Sequence, residues 1–489
     1  MSATDTTATE YETVIGLEIH VQLATVTKMF CGCELSFGEP PNTRTCPVCL
    51  GLPGSLPSPN AEAIHFGLMI GKALGSELAP RSIFHRKNYF YPDLSKGYQI
   101  SQYDEPLCLG GRLGDVRLTR VHLEEDAAKL VHVGASGRLH ASDASIVDFN
   151  RGGTPLAEIV TEPDLRDAGQ AADWLRMLRA TLRRLGVSDV NMEEGSLRCD
   201  ANISIRPRGT SELGTKTELK NMNSFRFIER GIRAEIARQE RILREGGQVE
   251  QETLHFDPRT EAITSLRSKE EAHDYRYFPE PDLTPVAITQ AMLDRAQAAL
   301  PELPMARAER FERDHGLPAD TARLLAFRAE LGDYYESALT SGNGGGGGRS
   351  VESQPLANWI TNELVARLGA DADPADSKVA PGAFAELVTM VAAKEVTQGG
   401  ARQVLDRLVA EGGDPQAIVA AEGLGAVGGA DELAPIVEQA LAANPDVADK
   451  LRTGDMKPIG VIVGHVMRET KGRADGGEVT RIVREKLGL

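Results

Sequence analysis

No run of about eighteen apolar residues occurs anywhere in the 489-residue chain, so no stretch has the length and apolarity of a membrane-spanning helix. The first ten residues, MSATDTTATE, carry neither a basic start nor an apolar core of the kind that directs secretion. They predict a frayed tail over 1–10 on a cytoplasmic protein. Aromatic residues are scarce, at 5%. A basic excess is missing too: 54 Lys and Arg face 71 Asp and Glu, a formal charge of −17. Taken over the whole chain, that balance argues against a nucleic-acid partner, although it does not report local patches. Cysteine is also sparse, with six in total, yet four of them fall within nineteen residues. In a chain without secretory features, such crowding points to a metal site rather than disulfides.

A chain this long buries ample apolar surface, and its length predicts about three domains. The first 290 residues are rich in strands and turns. Residues 14–23 alternate, with Leu17, Ile19, Val21 and Leu23 on one face and Glu18, His20 and Gln22 on the other. Further strands are expected at 116–125 and 197–206. In the latter, Arg198, Asp200 and Asn202 share the polar face. A fourth strand over 215–224 runs into a helix. Between them Asp167 caps a helix whose stripe is Leu175, Leu178, Leu182 and Leu185, with Arg176, Arg179, Arg183 and Arg184 off the stripe and Gly186 ending it. After about residue 290 the pattern becomes helical. The fold class is therefore α+β: a mixed or antiparallel sheet domain over 11–292, then all-α regions over 293–405 and 406–489. The run SGNGGGGGRS at 341–350 reads as a flexible loop.

Cys31-Gly-Cys33 and Cys46-Pro-Val-Cys49 are two close pairs separated by a loop, the spacing of a zinc knuckle in which four thiolates close a tetrahedron. Such a site is structural, because it leaves no open position. Cys108 and Cys199 stand apart and are expected to be inert. Carboxylates gather on predicted strand faces: Glu18 beside His20, Glu124, Glu125 and Asp126 after His122, then Asp200, and Glu218 before Lys220. Oxygen donors with one imidazole suit Mg²⁺ or Mn²⁺. Arg86, Lys87, Asn88, Lys96, Asn150, Arg151, Arg198, Asn202, Lys220, Asn221, Asn223 and Ser224 supply cations and amides for phosphate. The string Gly67 to Ala73 is one residue short of a phosphate-binding loop and lacks its Ser or Thr, so it is set aside. Aromatic, basic and proline residues mix at 84–103 and 267–285, which suits either base stacking or core packing. Residues 445–489 hold nine basic and seven acidic residues. Lys471, Arg473, Arg481, Arg484 and Lys486 make this tail slightly positive.

Several strings together resemble the B subunit of the aspartyl/glutamyl-tRNA(Asn/Gln) amidotransferase. They include GLEIHVQL at 16–23, NTRTCPVCLGLPGSLP at 42–57, RKNYFYPDLSKGYQISQYDEPL at 86–107 and HLEEDAAKL at 122–130. NRGGTPLAEIV at 150–160, GSLRCDANISIRP at 195–207, ELKNMNSFRF at 218–227, RSKEEAHDYRYFPEPDL at 267–283 and TKGRADGGEVTRIVREKL at 470–487 continue the likeness in order. The resemblance implies a cytoplasmic heterotrimer. Its A subunit releases ammonia from glutamine, its small C subunit wraps the A–B interface, and misacylated tRNA is bound by its B subunit. There ATP phosphorylates the side-chain carboxylate of the attached Glu or Asp, and ammonia then displaces phosphate. A cradle-shaped catalytic domain is implied, followed by a helical domain and a tail contacting tRNA through Lys471, Arg473, Arg481, Arg484 and Lys486. The chemistry then places Glu18, His20, Glu124, Glu125, Asp200 and Glu218 around Mg²⁺. Arg151, Arg198 and Lys220 meet phosphate or the acyl carboxylate, with Asn150, Asn202, Asn221, Asn223 and Ser224 on the ATP phosphates. No Gly-Gly-Ser-Ser amidase signature occurs, so ammonia must come from a partner. The glycine run at 342–348 and the Gly/Ala-rich 391–431 segment depart from the family pattern. Two competing readings are a zinc-containing module that positions tRNA without catalysis and a stand-alone ligase using free ammonia.

Overall fold

The computed structural model describes residues 9–133, 144–267, 275–344, 350–369, 372–427, 430–470 and 472–489. Lys471, residues 345–349 of the glycine run, and 268–274 of the second aromatic segment lie outside the described residues. The chain divides into two compact units, Met1–Leu303 and Pro304–Leu489.

The first unit is built on a mixed ten-stranded sheet. The elements that matter here are β1 (Tyr11–Gln22), α1 (Ala61–Ala73), β2 (Phe84–Asn88), β3 (Tyr98–Gln102), β4 (Val116–Glu125) and β5 (Pro155–Thr161). They are followed by α2 (Ala168–Leu185), β6 (Leu197–Pro207), β7 (Thr217–Met222), α3 (Phe225–Arg244), β8 (Thr253–Asp257) and β9 (Ala262–Arg267). Along the sheet the order is β9-β8-β7-β6-β1-β5-β4, with short strands beyond β4. Only β7 and β8 run parallel in that series. β2 and β3 form a separate small sheet with Phe278–Pro279, which joins the two aromatic stretches seen in the sequence.

Alternation in β1 decides which side each residue takes. Ile15, Leu17, Ile19 and Val21 are all 1% exposed or less and enter a core shared with α1, α2 and α3. Each fully buried aliphatic side chain stabilises the fold by about 1.5–3 kcal/mol relative to exposure. α2 begins where Asp167 accepts from the Gln170 N–H, and it stops at Gly186, whose φ of 70° a side chain would resist. Its Trp174 donates the indole N–H to the Leu113 carbonyl at 2.9 Å, which ties the helix to the sheet edge. Gly67 to Ala73 lie inside α1, so they have no loop amides to offer a phosphate.

The second unit is helical. One core gathers residues between Ala308 and Leu424, and another gathers residues between Leu433 and Val483. Among the described residues, no helix is long and apolar enough to cross a membrane.

Candidate functional site

The four cysteines follow β1 directly. Val26 and Lys28 pair across the turn to Leu35 and Cys33, with Lys28 N donating to Cys33 O at 3.0 Å. The second pair closes on itself: the Cys46 amide donates to Cys49 Sγ at 3.2 Å. All four sulfurs lie within 4.8 Å of one another. A tetrahedral zinc with Zn–S bonds near 2.3 Å requires sulfurs about 3.8 Å apart, so the donor set fits that ion. Lys28, buried beneath, brings Nζ to 3.7 Å from Cys49 Sγ and donates to the Phe149 carbonyl at 3.0 Å. The Cys31 thiol hydrogen-bonds to Cys49 and draws the Cys49 thiol down to about 4 against the effect of burial, with help from the Cys46 amide and Lys28. Asn150 belongs to this loop. Its Oδ1 accepts from the Arg44 amide and its Nδ2 donates to the Pro40 carbonyl, both at 2.8 Å, so it braces the cysteine hairpin rather than facing the carboxylates.

The carboxylates meet because the strands pair in register. His20 stands opposite Glu158 of β5 and Arg198 of β6, while Glu158 stands opposite His122 of β4. One row across four strands therefore reads His122, Glu158, His20, Arg198. Glu18 stands opposite Asp200 in the next row on the same face. His20 Nε2 lies 3.6 Å from Glu124, 3.7 Å from Glu158 and 4.0 Å from Glu18. Behind them, His122 Nε2 donates to Glu158 at 3.0 Å, while its Nδ1 accepts from Arg120 Nε at 3.3 Å. An arginine always donates, so this contact fixes Nε2 as the nitrogen that carries hydrogen. Two donor triads share Glu158: Glu18–His20–Glu158 and His122–Glu124–Glu158. Carboxylate oxygens with the one free imidazole, His20, fit a divalent cation, while His122 orients Glu158 from behind.

Charge is divided unequally within the cluster. Burial, the Glu158 charge and the Asp200 and Glu218 charges raise Glu18 to about 8, although Lys220 opposes them. Glu158 goes the other way. Burial works against its ionised form, yet His122, His20 and Lys87 together hold it well below the usual carboxylate range. Lys87 of β2 enters the same space. Burial alone would lower its ammonium, but Glu124 and Glu158 face it and raise it, so it stays charged.

Three of the cations expected from the sequence, Arg151, Arg198 and Lys220, lie around this cluster, whereas Arg86 pairs with Glu280 and Lys96 with Glu125. Lys220 bridges Asp200 and Glu218 at 3.1 Å each. Arg198 pairs with buried Asp126 at 2.9 Å, and Arg151 lies 3.6 Å from the same carboxylate while donating to the Ala127 and Ala128 carbonyls at 2.9 Å. Asn202 is opposite Gly16 of β1 and Glu218 of β7. Ser224 accepts from the Phe227 amide as the N-cap of α3, and Asn223 is exposed just before it. Asn221 sits in β7, and its side chain lies outside the described residues. His20, Lys87, Glu124, Asp126, Arg198, Asp200, Lys220 and Asn223 all open onto one cavity of 600 Å³.

Glu125 does not join them. Neighbours in a strand point to opposite faces, so with Glu124 in the cluster Glu125 turns away. It pairs with Lys96, accepts from the Ile100 amide at 3.0 Å, and lines a separate 120 Å³ cavity with Cys31 and Cys49. Sequence reasoning missed Glu158, the carboxylate both triads share. Its signal was present: one charge in the otherwise apolar strand PLAEIVT is costly to bury without a task. In the tail, Arg481 is held by Glu478 at 2.6 Å and Glu485 at 3.0 Å, and Lys486 pairs with Glu438. Arg473 donates to the Thr470 carbonyl, and Arg484 is exposed. Of the tail cations named, Arg481 and Lys486 are thus already balanced by carboxylates. Cys108 and Cys199 are buried in the core, which pushes the Cys108 thiol up to about 12 and raises Cys199 as well.

Comparison with known proteins agrees along the whole chain. Residues 13–294 match the GatB/GatE catalytic domain and residues 348–487 match the GatB domain. Three relatives are each named as the B subunit of an aspartyl/glutamyl-tRNA(Asn/Gln) amidotransferase. The one from Anaeromyxobacter sp. (strain K) is 48% identical over 490 residues, covering 98% of this chain and 99% of its own. Those from Frankia casuarinae and Moorella thermoacetica are 48% and 47% identical, each over 98% of this chain and over 96% and 100% of their own.

Proposed function

The chain belongs to the GatB/GatE family, and from that premise we propose that it is the B subunit of a tRNA-dependent, glutamine-hydrolysing amidotransferase of the ligase class. The reading is supported above all by one observation: a carboxylate–imidazole cluster opens through His20 and Glu124 onto a 600 Å³ cavity that the cations Lys87, Arg198 and Lys220 also line.

In that cavity the side-chain carboxylate of Glu or Asp, esterified to its tRNA, attacks the γ-phosphorus of ATP. The bond to ADP breaks and an acyl phosphate forms. Ammonia then attacks the acyl carbon, phosphate leaves and the nitrogen loses a proton, which gives the amide. A carboxylate is a poor electrophile until phosphorylated, and the transfer itself is mainly positioning and charge neutralisation. Glu18, His20, Glu124 and Glu158 would hold Mg²⁺, which when bound neutralises the nucleotide phosphates. Lys87, Arg198 and Lys220 balance the remaining negative charge, and Arg151 keeps Asp126 in place behind Arg198. Glutamine-derived ammonia comes from an A subunit, with a small C subunit completing a cytoplasmic heterotrimer. The cysteine hairpin carries structural Zn²⁺. We assign chemistry to 11–292 and tRNA contact to the helical 406–489 tail, with 293–405 between them.

The test is reconstitution with A and C subunits on both misacylated tRNAs. Glutamine- and ATP-dependent formation of Gln-tRNA(Gln) or Asn-tRNA(Asn), abolished by Glu124→Gln in an intact complex, is the expected result. Binding of tRNA without ATP turnover would instead establish a non-catalytic module. Amidation by free ammonia with no partner present would establish a stand-alone ligase.

A further inference from the structure

Beside the carboxylate cavity lies a second hollow, of 540 Å³, that the chemistry above leaves unused. The two share Met192, Glu193 and Asn223 in their walls, so they adjoin. On the far side, Arg179 of α2 lies with its guanidinium 5.7 Å from the centre of the Phe225 ring. Its Nε donates to the Val190 carbonyl at 3.1 Å, which fixes the side chain, and among the described residues it has no carboxylate partner. Arg176 lies over the same ring at 5.6 Å but is spent on Asp173 at 2.6 Å. A guanidinium fixed beside an aromatic ring sets N–H donors next to a face on which a base can stack. Two exposed carboxylates, Asp189 and Glu193, also line the hollow. They make it a poor match for a bare anion. A nucleotide answers these groups together: a flat base for the ring, base amino groups for the carboxylates, and phosphate for the N–H edge of Arg179.

We propose that this hollow is a nucleotide subsite, seating a base and its phosphate while the ligand's reactive end reaches the carboxylate cluster. The inference rests on the function proposed above and names where one of its two substrates is held. Two sources share that chemistry, ATP and the 3′-terminal nucleotides of the misacylated tRNA.

The test compares the assembled complex with Arg179→Ala, Phe225→Leu and the conservative Phe225→Tyr, titrating ATP and Glu-tRNA(Gln) separately and recording thermal melts. Loss of a stacking contact raises KM about tenfold for one substrate and leaves kcat within about threefold, with Phe225→Tyr close to wild type. A rise for ATP alone seats the nucleotide cofactor there, and a rise for the tRNA alone seats the 3′ strand. Unchanged KM values for both substrates overturn the proposal, as does a joint rise accompanied by a lowered melt. Should the wild-type complex show no ATP-dependent amidation, the proposed function has failed and the hollow is still judged separately. Equilibrium binding of ATP and of tRNA is then compared for wild type and Arg179→Ala, and equal affinities for both ligands overturn the subsite.

Discussion

Glu158→Gln isolates the one carboxylate that both donor triads share. The substitution keeps the size of the side chain and removes its charge. In the wild type, the Glu158 charge is the second cause, after burial, of holding Glu18 at about 8. The ligand atoms of the two carboxylates lie within 4.8 Å of each other. At an effective dielectric of about 20, unit charges at that separation interact by about 3 kcal/mol, or about two pK units. Without Glu158 the Glu18 midpoint should fall from about 8 to about 6, still above its ordinary value of 4.5 because burial persists. Since Glu18 is protonated below its midpoint, a cation entering the cluster must displace that proton. Affinity in the wild type therefore rises by up to about tenfold per pH unit until about pH 8 and then levels off. In Glu158→Gln the plateau should begin about two units lower, and its height should drop at least about tenfold through the lost donor. Mn²⁺ titration followed by electron paramagnetic resonance from pH 5.5 to 9 reads both quantities. A break that stays at about 8, or a wild-type affinity indifferent to pH, would refute the charge coupling.

Three further outcomes are expected. Cys46→Ser should remove bound zinc, read by elemental analysis, and lower the melting temperature; wild-type protein that carries no zinc after expression with the metal supplied refutes the site. Glu235 is fully buried and accepts from Thr217 at 2.8 Å, Gln239 at 2.9 Å and Arg238 at 2.7 Å. Glu235→Ala strands those donors and should cost about 3 kcal/mol in urea unfolding, and a loss well under about 1 kcal/mol contradicts the network. In filter binding, Arg484→Ala should weaken tRNA affinity and lower the salt slope by about 1, whereas Arg481→Ala, whose guanidinium is already paired with Glu478 and Glu485, should do less. The reverse order of effects rules out the tail assignment.

How much was legible depended on the range of the interaction. The strand β4 runs over Val116–Glu125 as the sequence predicts, and α2 starts and stops at the Asp167 and Gly186 signals. Those features arise from neighbours within a few residues, where periodicity and capping operate. Glu124 and Glu125 show where proximity in sequence misleads. Adjacent carboxylates read as one acidic cluster, but the pleat sends the first to His20 and the second to Lys96. Asn150 shows the same limit, since its amide is satisfied by a loop more than a hundred residues earlier.

By itself, then, the sequence determined the polar face of β1, the paired cysteines and the family. Each depends on local spacing or on long strings read in order. The tertiary structure alone decided the composition of the site. Register between β1, β4, β5 and β6 put His122, Glu158, His20 and Arg198 in one row, although they lie far apart in the chain. It also decided which charges are available, because a cation such as Arg481 that meets carboxylates within its own helix has little left to offer a phosphate. Charge counts register neither effect: a net −17 describes the whole surface, while binding depends on which charges face one another across a few ångströms.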